Sequence, residues 1–440
     1  MQSKMKDLLA LSTIPLIMTL GNSMLIPILP DISRRLGVSS FRISLLITVY
    51  AVVAILLIPL AGYLSDRFGR KAVIIPCLII AAAGGAVSGA GAWFLTDGAA
   101  YWTIMAGRFL QGIGAAGAFP IVIPLVSDMF KDEEQVSKSL GIIETSNTFG
   151  KVLSPIVGAA LGAWLWYSPF LAIPILCLIS LVMVLFMVKA PKRKEKVPTI
   201  KEFIGQIKDV LGKKGRWLYS IFAMGCISMF ILFGVQFYLS ENLESRYGLH
   251  GIIKGLVIAI PLVALCLASY AGGKVIGKHK RRMKWVGFIG LVLTVVSVAA
   301  IIFVKQIYIV LGLFSLGGAG IGLTLPCLDA LIAEGIEKKQ RGTITSLYSS
   351  MRFIGVSLGP PVVSLLVNSG QGLLFGVFAG VGVLGSILML VGVRPKEDQS
   401  GEPESAEQGF DSSRIHRFHS DAEQMHGRLG LRGMRRKGKT

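Results

Sequence analysis

Charge is what this 440-residue chain has least of. Asp, Glu, Lys and Arg make up 16% of it, against about 25% in an ordinary soluble protein. Cysteine is sparse too: Cys77, Cys177, Cys226, Cys266 and Cys327 form no CxxC pair, and all fall inside apolar runs. That pattern points to buried free thiols and away from a disulfide framework or a thiolate metal site. No HExxH zinc signature occurs. Polar sequence long enough for a separate soluble domain is missing, the longest candidate being the stretch 394–440. Together these shortages disfavour a soluble enzyme, a nucleic-acid binder and a secreted disulfide scaffold.

What the chain has instead is apolar length. Hydrophobic residues make 53% of it and the mean hydropathy is +0.66. Twelve runs stand out, at roughly 8–30, 41–63, 72–92, 101–126, 139–163, 167–189, 217–240, 252–273, 285–304, 307–333, 344–367 and 371–393. Each can cross ~30 Å of hydrocarbon as a helix, some with tilt. They are apolar throughout rather than alternating, which argues against membrane strands. The expected fold is an all-α membrane protein. Lys4 and Lys6 before the first run resemble the start of a signal peptide. The run continues to about Leu29 without a small-residue cleavage site, so it reads as the first span.

The net charge of +20 comes from 45 Lys and Arg against 25 Asp and Glu. Its placement matters more than its sum. With the N-terminus inside, about 36 of the basic residues fall on the cytoplasmic side and about 6 outside, with Arg108, Lys151 and Arg352 within spans. A cell-membrane protein with both termini cytoplasmic follows. The chain then divides into a six-span half over 1–189, a basic cytoplasmic linker over 190–216, a second six-span half over 217–393 and a tail over 394–440. Within the linker, Ile200, Phe203, Ile204, Ile207 and Leu211 have the spacing of a short amphipathic helix lying on the inner leaflet. A solvated basic linker fits the same residues. The tail is rich in Gly, Ser, Glu and Arg, and is expected to be disordered with weak attraction to anionic lipid.

The halves repeat one another. GIGAAGAFP at Gly112–Pro120 matches GAGIGLTLP at Gly318–Pro326, an offset of about 206 residues that also sets Asp128 over Glu334. In the following span, Gly150, Ser154 and Pro155 match Gly355, Gly359 and Pro360. Two six-helix halves on one plan are the mark of alternating-access transporters, with the substrate site near the midplane between them.

Several polar positions then acquire a chemical reading. The loop after the second span, Gly62-Tyr-Leu-Ser-Asp66-Arg67-Phe-Gly69-Arg70-Lys71, has glycines for a tight turn and close helix approach. Asp66 can pair there with Arg70 or another cation. Arg108 within span four is expensive in lipid and should be satisfied by Asn22 and Ser23 of span one and by Gln111. Glu144, Asn147, Thr148, Lys151, Ser154 and Pro155 make a polar stripe on span five that should face the cavity or the bundle. Glu144 reads as the only carboxylate well inside a span. Desolvation there would help it load and release protons, although solvated structural glue is an equal reading. Gln236 and Arg352 join Asn22, Gln111, Asn147 and Lys151 as candidates for the cavity wall. Asp31, Glu241 and Glu244 sit at outer span ends, where they could act at the exit, and Asp31 is a further candidate for proton handling.

The stretch around Asp66 resembles the signature GxLaDrxGrkxxl of the major facilitator superfamily. Leu20–Pro30, Arg108–Ala116 and Gly150–Gly158 resemble three further motifs of its twelve-helix drug:proton antiporter branch. The resemblance covers about 8–393. It implies two pseudo-symmetric six-helix bundles, and a charge latch of Asp66, Arg70 and Asp128 that holds the halves in the outward-open state. It also implies a proton-coupling role for Arg108, and a bend in span five, set by Gly150, Pro155 and Gly158, that favours export. Ser154 stands where the family usually has Gly, and the second-half loop from Gly273 to Arg282 has lost the aspartate, so a weaker second latch is expected.

The function expected from this is proton-coupled export of small amphipathic compounds, of the multidrug type. The alternative is a dedicated exporter of an endogenous, anionic metabolite or siderophore, and an uptake symporter comes third. Counting Arg108, Lys151 and Arg352 against Glu144 alone makes the core positive by about two, which tilts the substrate toward neutral or anionic molecules. No cofactor or metal is implied. The expected partners are a small-molecule substrate, protons and the bilayer, with no nucleic acid, and the chain should act as a monomer because it contains both halves.

Overall fold

A backbone in hydrocarbon must satisfy its own N–H and C=O groups, and uninterrupted apolar runs do so as helices. The computed structural model describes residues 2–130, 133–189, 200–276, 279–336 and 338–393, and no strand occurs among them. The first half comprises α1 (Gln2–Ser23), α2 (Leu29–Arg35), α3 (Ser40–Phe68), α4 (Arg70–Phe94), α5 (Asp97–Met129), α6 (Glu133–Trp164) and α7 (Ser168–Met187). The second comprises α8 (Ile200–Tyr247), α9 (Gly251–Ile276), α10 (Lys280–Ala300), α11 (Ile307–Gly335), α12 (Lys338–Leu366) and α13 (Gln371–Gly392).

Among the described residues, eleven spans are long and apolar enough to cross a membrane. The twelfth, α6, has the length, at 32 residues, but carries the polar stripe predicted for span five. The first span is broken toward its far end, where Pro27 and Pro30 lack the amide hydrogens a continuous helix needs. A 3-10 turn at Ile26–Ile28 joins α1 to the short α2 there. The helix predicted from Ile200 is present, and it runs on without interruption to Tyr247 as the 48 residues of α8. Residues 190–199 and the tail from 394 lie outside the described residues.

Lipid gives helices little hydrophobic reason to associate, so small residues that let backbones approach decide the packing. A Cβ on Gly112 would strike the Tyr50 carbonyl of α3, and one on Gly114 the Cys77 carbonyl of α4. The matching glycines of the second half do the same: Gly318 abuts the Pro261 carbonyl of α9, and Gly320 the Gly290 carbonyl of α10. Gly150 presses α6 onto the Leu16 carbonyl of α1, as its counterpart Gly355 presses α12 onto the Cys226 carbonyl of α8; Gly158 and Gly359 add close approaches to the Met24 and Phe230 carbonyls. The repeat read in the sequence is thus a repeat of backbone contacts. Between the halves, α3 packs along α12 and α6 along α9. In the latter pair Gly255 lies against the Pro155 carbonyl.

Where α1 begins will be called the near end, and the opposite one the far end. Exposed aromatics mark both ends: Trp93, Phe94, Trp102 and Trp164 at the far end, and Phe68, Phe186, Tyr270 and Trp285 at the near end, all at or near helix termini. Trp93 stacks on Tyr167 with 5.9 Å between ring centroids. Amphipathic rings at this level suit a membrane–water boundary.

Candidate functional site

Arg108 is fully buried in α5. Its Nε donates to the Leu46 carbonyl of α3 at 2.9 Å, and its Nη1 and Nη2 donate to Gln111 Oε1 and Asn22 Oδ1 at 2.5 Å each. The Tyr50 ring lies 4.4 Å from the guanidinium carbon. Three elements of the first half, α1, α3 and α5, are therefore tied by one side chain whose polar partners are neutral. Among the described residues the third acceptor is Leu46, not Ser23.

A second group of charges lies where the halves meet. On α6, both oxygens of Glu144 accept from Asn147 Nδ2, at 3.1 and 3.3 Å, and Asn147 Oδ1 accepts from Thr19 of α1 at 2.5 Å. Two turns on, Lys151 is buried at 6% exposure. From the second half, Asp329 of α11 pairs with Arg352 of α12 at 3.6 Å, and Arg352 also lies over the Tyr348 ring at 5.6 Å. Glu144, Lys151, Asp329 and Arg352 are all within electrostatic reach of one another. Asp329 corrects the sequence count. The embedded carboxylates are two, not Glu144 alone, and against Arg108, Lys151 and Arg352 the core excess falls from about two positive charges to about one. Asp329 falls within the apolar run 307–333, so the rule that picked out Arg108 would have found it.

At the near end, Arg70 Nη1 pairs with Asp66 Oδ1 at 2.8 Å, and Arg70 Nε donates to Asp128 Oδ2 at 3.2 Å. Ser65 Oγ accepts from Arg70 at 2.7 Å. The turn that allows this is Gly69, at φ +102°, a conformation L side chains rarely adopt. Lys71 donates to the last carbonyls of the seventh helix region, Leu185 at 2.9 Å and Val188 at 2.8 Å, while Arg67 lies out over Phe68. These charges join α3, α4 and α5 within the first half, and Gly62 brings α3 close to Ser346 of α12. Gly277 and Lys278 of the equivalent second-half loop lie outside the described residues. In α6, Ser154 is fully buried and donates to the Gly150 carbonyl at 2.5 Å. Its hydroxyl is thereby satisfied inside the helix, and a small residue is kept between α6 and its neighbours.

The far end carries a network that sequence reading placed only in part. Lys254 of α9, 2% exposed, donates to Glu244 Oε2 of α8 at 2.6 Å. Glu244 also pairs with Arg34 of α2, which pairs in turn with Asp31 at 2.5 Å. Nearby, Ser40 donates to Glu241 Oε1 at 2.8 Å and Ser240 to the Ile26 carbonyl at 2.9 Å. All but the Lys254–Glu244 and Asp31–Arg34 links cross between the halves, so the far end is closed.

The structure therefore distributes the sequence candidates. Arg108, Asn22 and Gln111 come together in the first half. Glu144, Asn147, Lys151 and Arg352 come together between the halves, while Asp31 belongs to the far end. Gln236 lines a small cavity of about 20 Å³ inside the second half, with Thr294 and Phe314, room for about one water. The letters GVSLG at Gly355–Gly359 spell a serine-hydrolase pattern. Ser357, however, is buried mid-helix with its hydroxyl on the Ile354 carbonyl, and no strand–turn–helix elbow surrounds it.

The family model described as Major Facilitator Superfamily matches residues 11–286 and 243–435. The chain is 51% identical over 396 residues to the bacillibactin exporter of Bacillus subtilis (strain 168), covering 90% of this chain and 98% of that one. It is 24% identical to the class B tetracycline resistance protein of Escherichia coli, covering 81% and 87%. The crystal structure of the human organic anion transporter MFSD10 superposes with a TM-score of 0.70 at 18% identity, covering 87% of this chain and 99% of that one. That last likeness concerns the fold.

Proposed function

The chain belongs to the major facilitator superfamily, and from that premise we propose that it is a proton-coupled exporter dedicated to a siderophore. It works by alternating access in the cell membrane, with both termini cytoplasmic. The observation that carries the substrate is the 51% identity, over nearly the full length of both chains, to a bacillibactin exporter. The likeness to a tetracycline resistance protein is much lower, at 24%. The dedicated exporter therefore takes precedence over the broad multidrug range.

The site's chemistry supports this reading. A siderophore presents hard oxygen donors that carry negative charge or readily acquire it. The cluster between the halves offers two cations, Lys151 and Arg352, with Glu144 and Asp329 beside them. Glu144 and Asp329 supply groups that can take up protons when the cations are engaged elsewhere. The proton gradient then drives efflux, with Arg108 holding the first half together around them.

The test is mass spectrometry of bacillibactin in cells and medium under iron limitation, comparing the source strain with a deletion strain and its complement. Intracellular accumulation on deletion, reversed by complementation, is expected. An unchanged partition would remove the siderophore reading. In energised inverted vesicles, bacillibactin added to the wild-type protein should release protons, and silence there with transport intact would remove the coupling.

A further inference from the structure

Among the described residues three cations are buried almost completely. Two have direct partners: Arg108 has three acceptors, and Lys254 has Glu244 at 2.6 Å. Lys151 differs. It is 94% buried by its 6% exposure, and among the described residues its ammonium makes no hydrogen bond and no ion pair. The nitrogen itself is not sealed off, so an ammonium with no protein partner stands where an anionic ligand can reach it. Its surroundings show what would complete it. Glu144, Asp329 and Arg352 lie within electrostatic reach but not in contact. Arg352 is held to Asp329 at 3.6 Å, beyond a good hydrogen bond, so its donors are only partly engaged. Lys151 belongs to the first half and Arg352 to the second, and the α6–α9 contact at Gly255 and Pro155 lies one turn of helix from Lys151.

We propose that Lys151 and Arg352 form a two-point seat for an anionic oxygen group of the substrate, one donor from each half, with Asp329 holding Arg352 in its place when the seat is empty. The ligand class is an ionised chelating oxygen pair, of which catecholate is the representative. This deepens the exporter reading and rests on it for the identity of the substrate. A substrate bound this way competes with Asp329 for Arg352. It also bridges the halves, so occupancy and the relative position of the halves are linked.

The test uses binding to the full chain in lipid nanodiscs, with three probes: bacillibactin, its fully O-methylated derivative, which cannot ionise, and 2,3-dihydroxybenzoate as a small anionic catechol. Wild type should bind bacillibactin at least tenfold more tightly than the methylated form. Lys151→Gln should lose that preference, weakening bacillibactin tenfold or more and leaving the methylated form unchanged, while Lys151→Arg retains it. Asp329→Asn should tighten bacillibactin binding, because Arg352 is released. If Lys151→Gln, shown folded by its thermal unfolding, binds bacillibactin as wild type does, the seat is refuted and the exporter reading stands. If wild type does not bind bacillibactin, the siderophore reading fails and dihydroxybenzoate decides the seat. Binding that is lost in Lys151→Gln supports it, and binding that is absent or indifferent to Lys151 overturns it.

Discussion

Glu244→Gln should open the far end. Glu244 is the shared acceptor of Lys254, on its own half, and Arg34, on the other. Removing its charge leaves Lys254, 2% exposed, without a counterion, which costs about 3–5 kcal/mol while the site stays closed. Opening the far end admits water and relieves that cost, so the penalty falls on the closed state. The bridge to Arg34 is lost as well, but it adds only about 0–1 kcal/mol because Arg34 is more than half exposed. At about 1.4 kcal/mol per factor of ten, the closed-to-open ratio falls by about two to four powers of ten at most, less whatever Lys254 recovers by releasing its proton. The reporter is Ser240→Cys in a chain whose five native cysteines are replaced. Ser240 is fully buried and bonded across the halves to Ile26. Its labelling by an impermeant maleimide should accelerate at least tenfold with Glu244→Gln, and return to the parent rate when Lys254→Met removes the stranded charge. A rate within twofold of the parent in the single variant would show that these ion pairs do not hold the far end shut.

Other substitutions probe the rest of the site. Arg108→Ala strands the Asn22, Gln111 and Leu46 acceptors in a fully buried place and should cost at least 3 kcal/mol, read as a lower unfolding temperature and lost transport. Gly355→Ala sets a Cβ against the Cys226 carbonyl and should destabilise by about 1–3 kcal/mol, whereas Gly376→Ala, which meets open space, should leave the unfolding temperature unchanged. Asp66→Asn removes the charge paired with Arg70; it should cut transport severalfold with membrane insertion intact, and normal transport would count against the latch. Glu144→Gln should abolish proton-driven efflux while sparing counterflow exchange in vesicles, and unchanged coupling would move the proton site to Asp329 or elsewhere.

The architecture was legible because it is written in small residues at fixed spacing. Gly112 and Gly318 recur in sequence for the same reason that they recur in space, each setting a helix against a carbonyl. The partners of the buried charges were harder to read. Hydropathy gives the depth of Lys254 along its helix but not the neighbouring helix it faces, so nothing in the sequence pairs it with Glu244. Arg108 was legible as a buried cation, yet its third acceptor is a main-chain carbonyl of α3, and any residue type at position 46 supplies one. In the linker the apolar spacing of Ile200 to Leu211 shows a helix, but not that it runs on through Gly212 and Gly215 into the next span, since glycine lowers helix propensity without forbidding it.

The contact of Gly255 with the Pro155 carbonyl has a mechanical consequence. Backbone meets backbone there with only the Ala159 methyl beside it, so this seam is closer to a smooth bearing than to a toothed one. Rotation of one bundle against the other needs no side chain to leave a socket. The teeth lie elsewhere, in the ion pairs of the far end and in the charges around Lys151. Sequence change around Lys151 and Arg352 can therefore alter what is bound while the Gly255–Pro155 pivot keeps its fit.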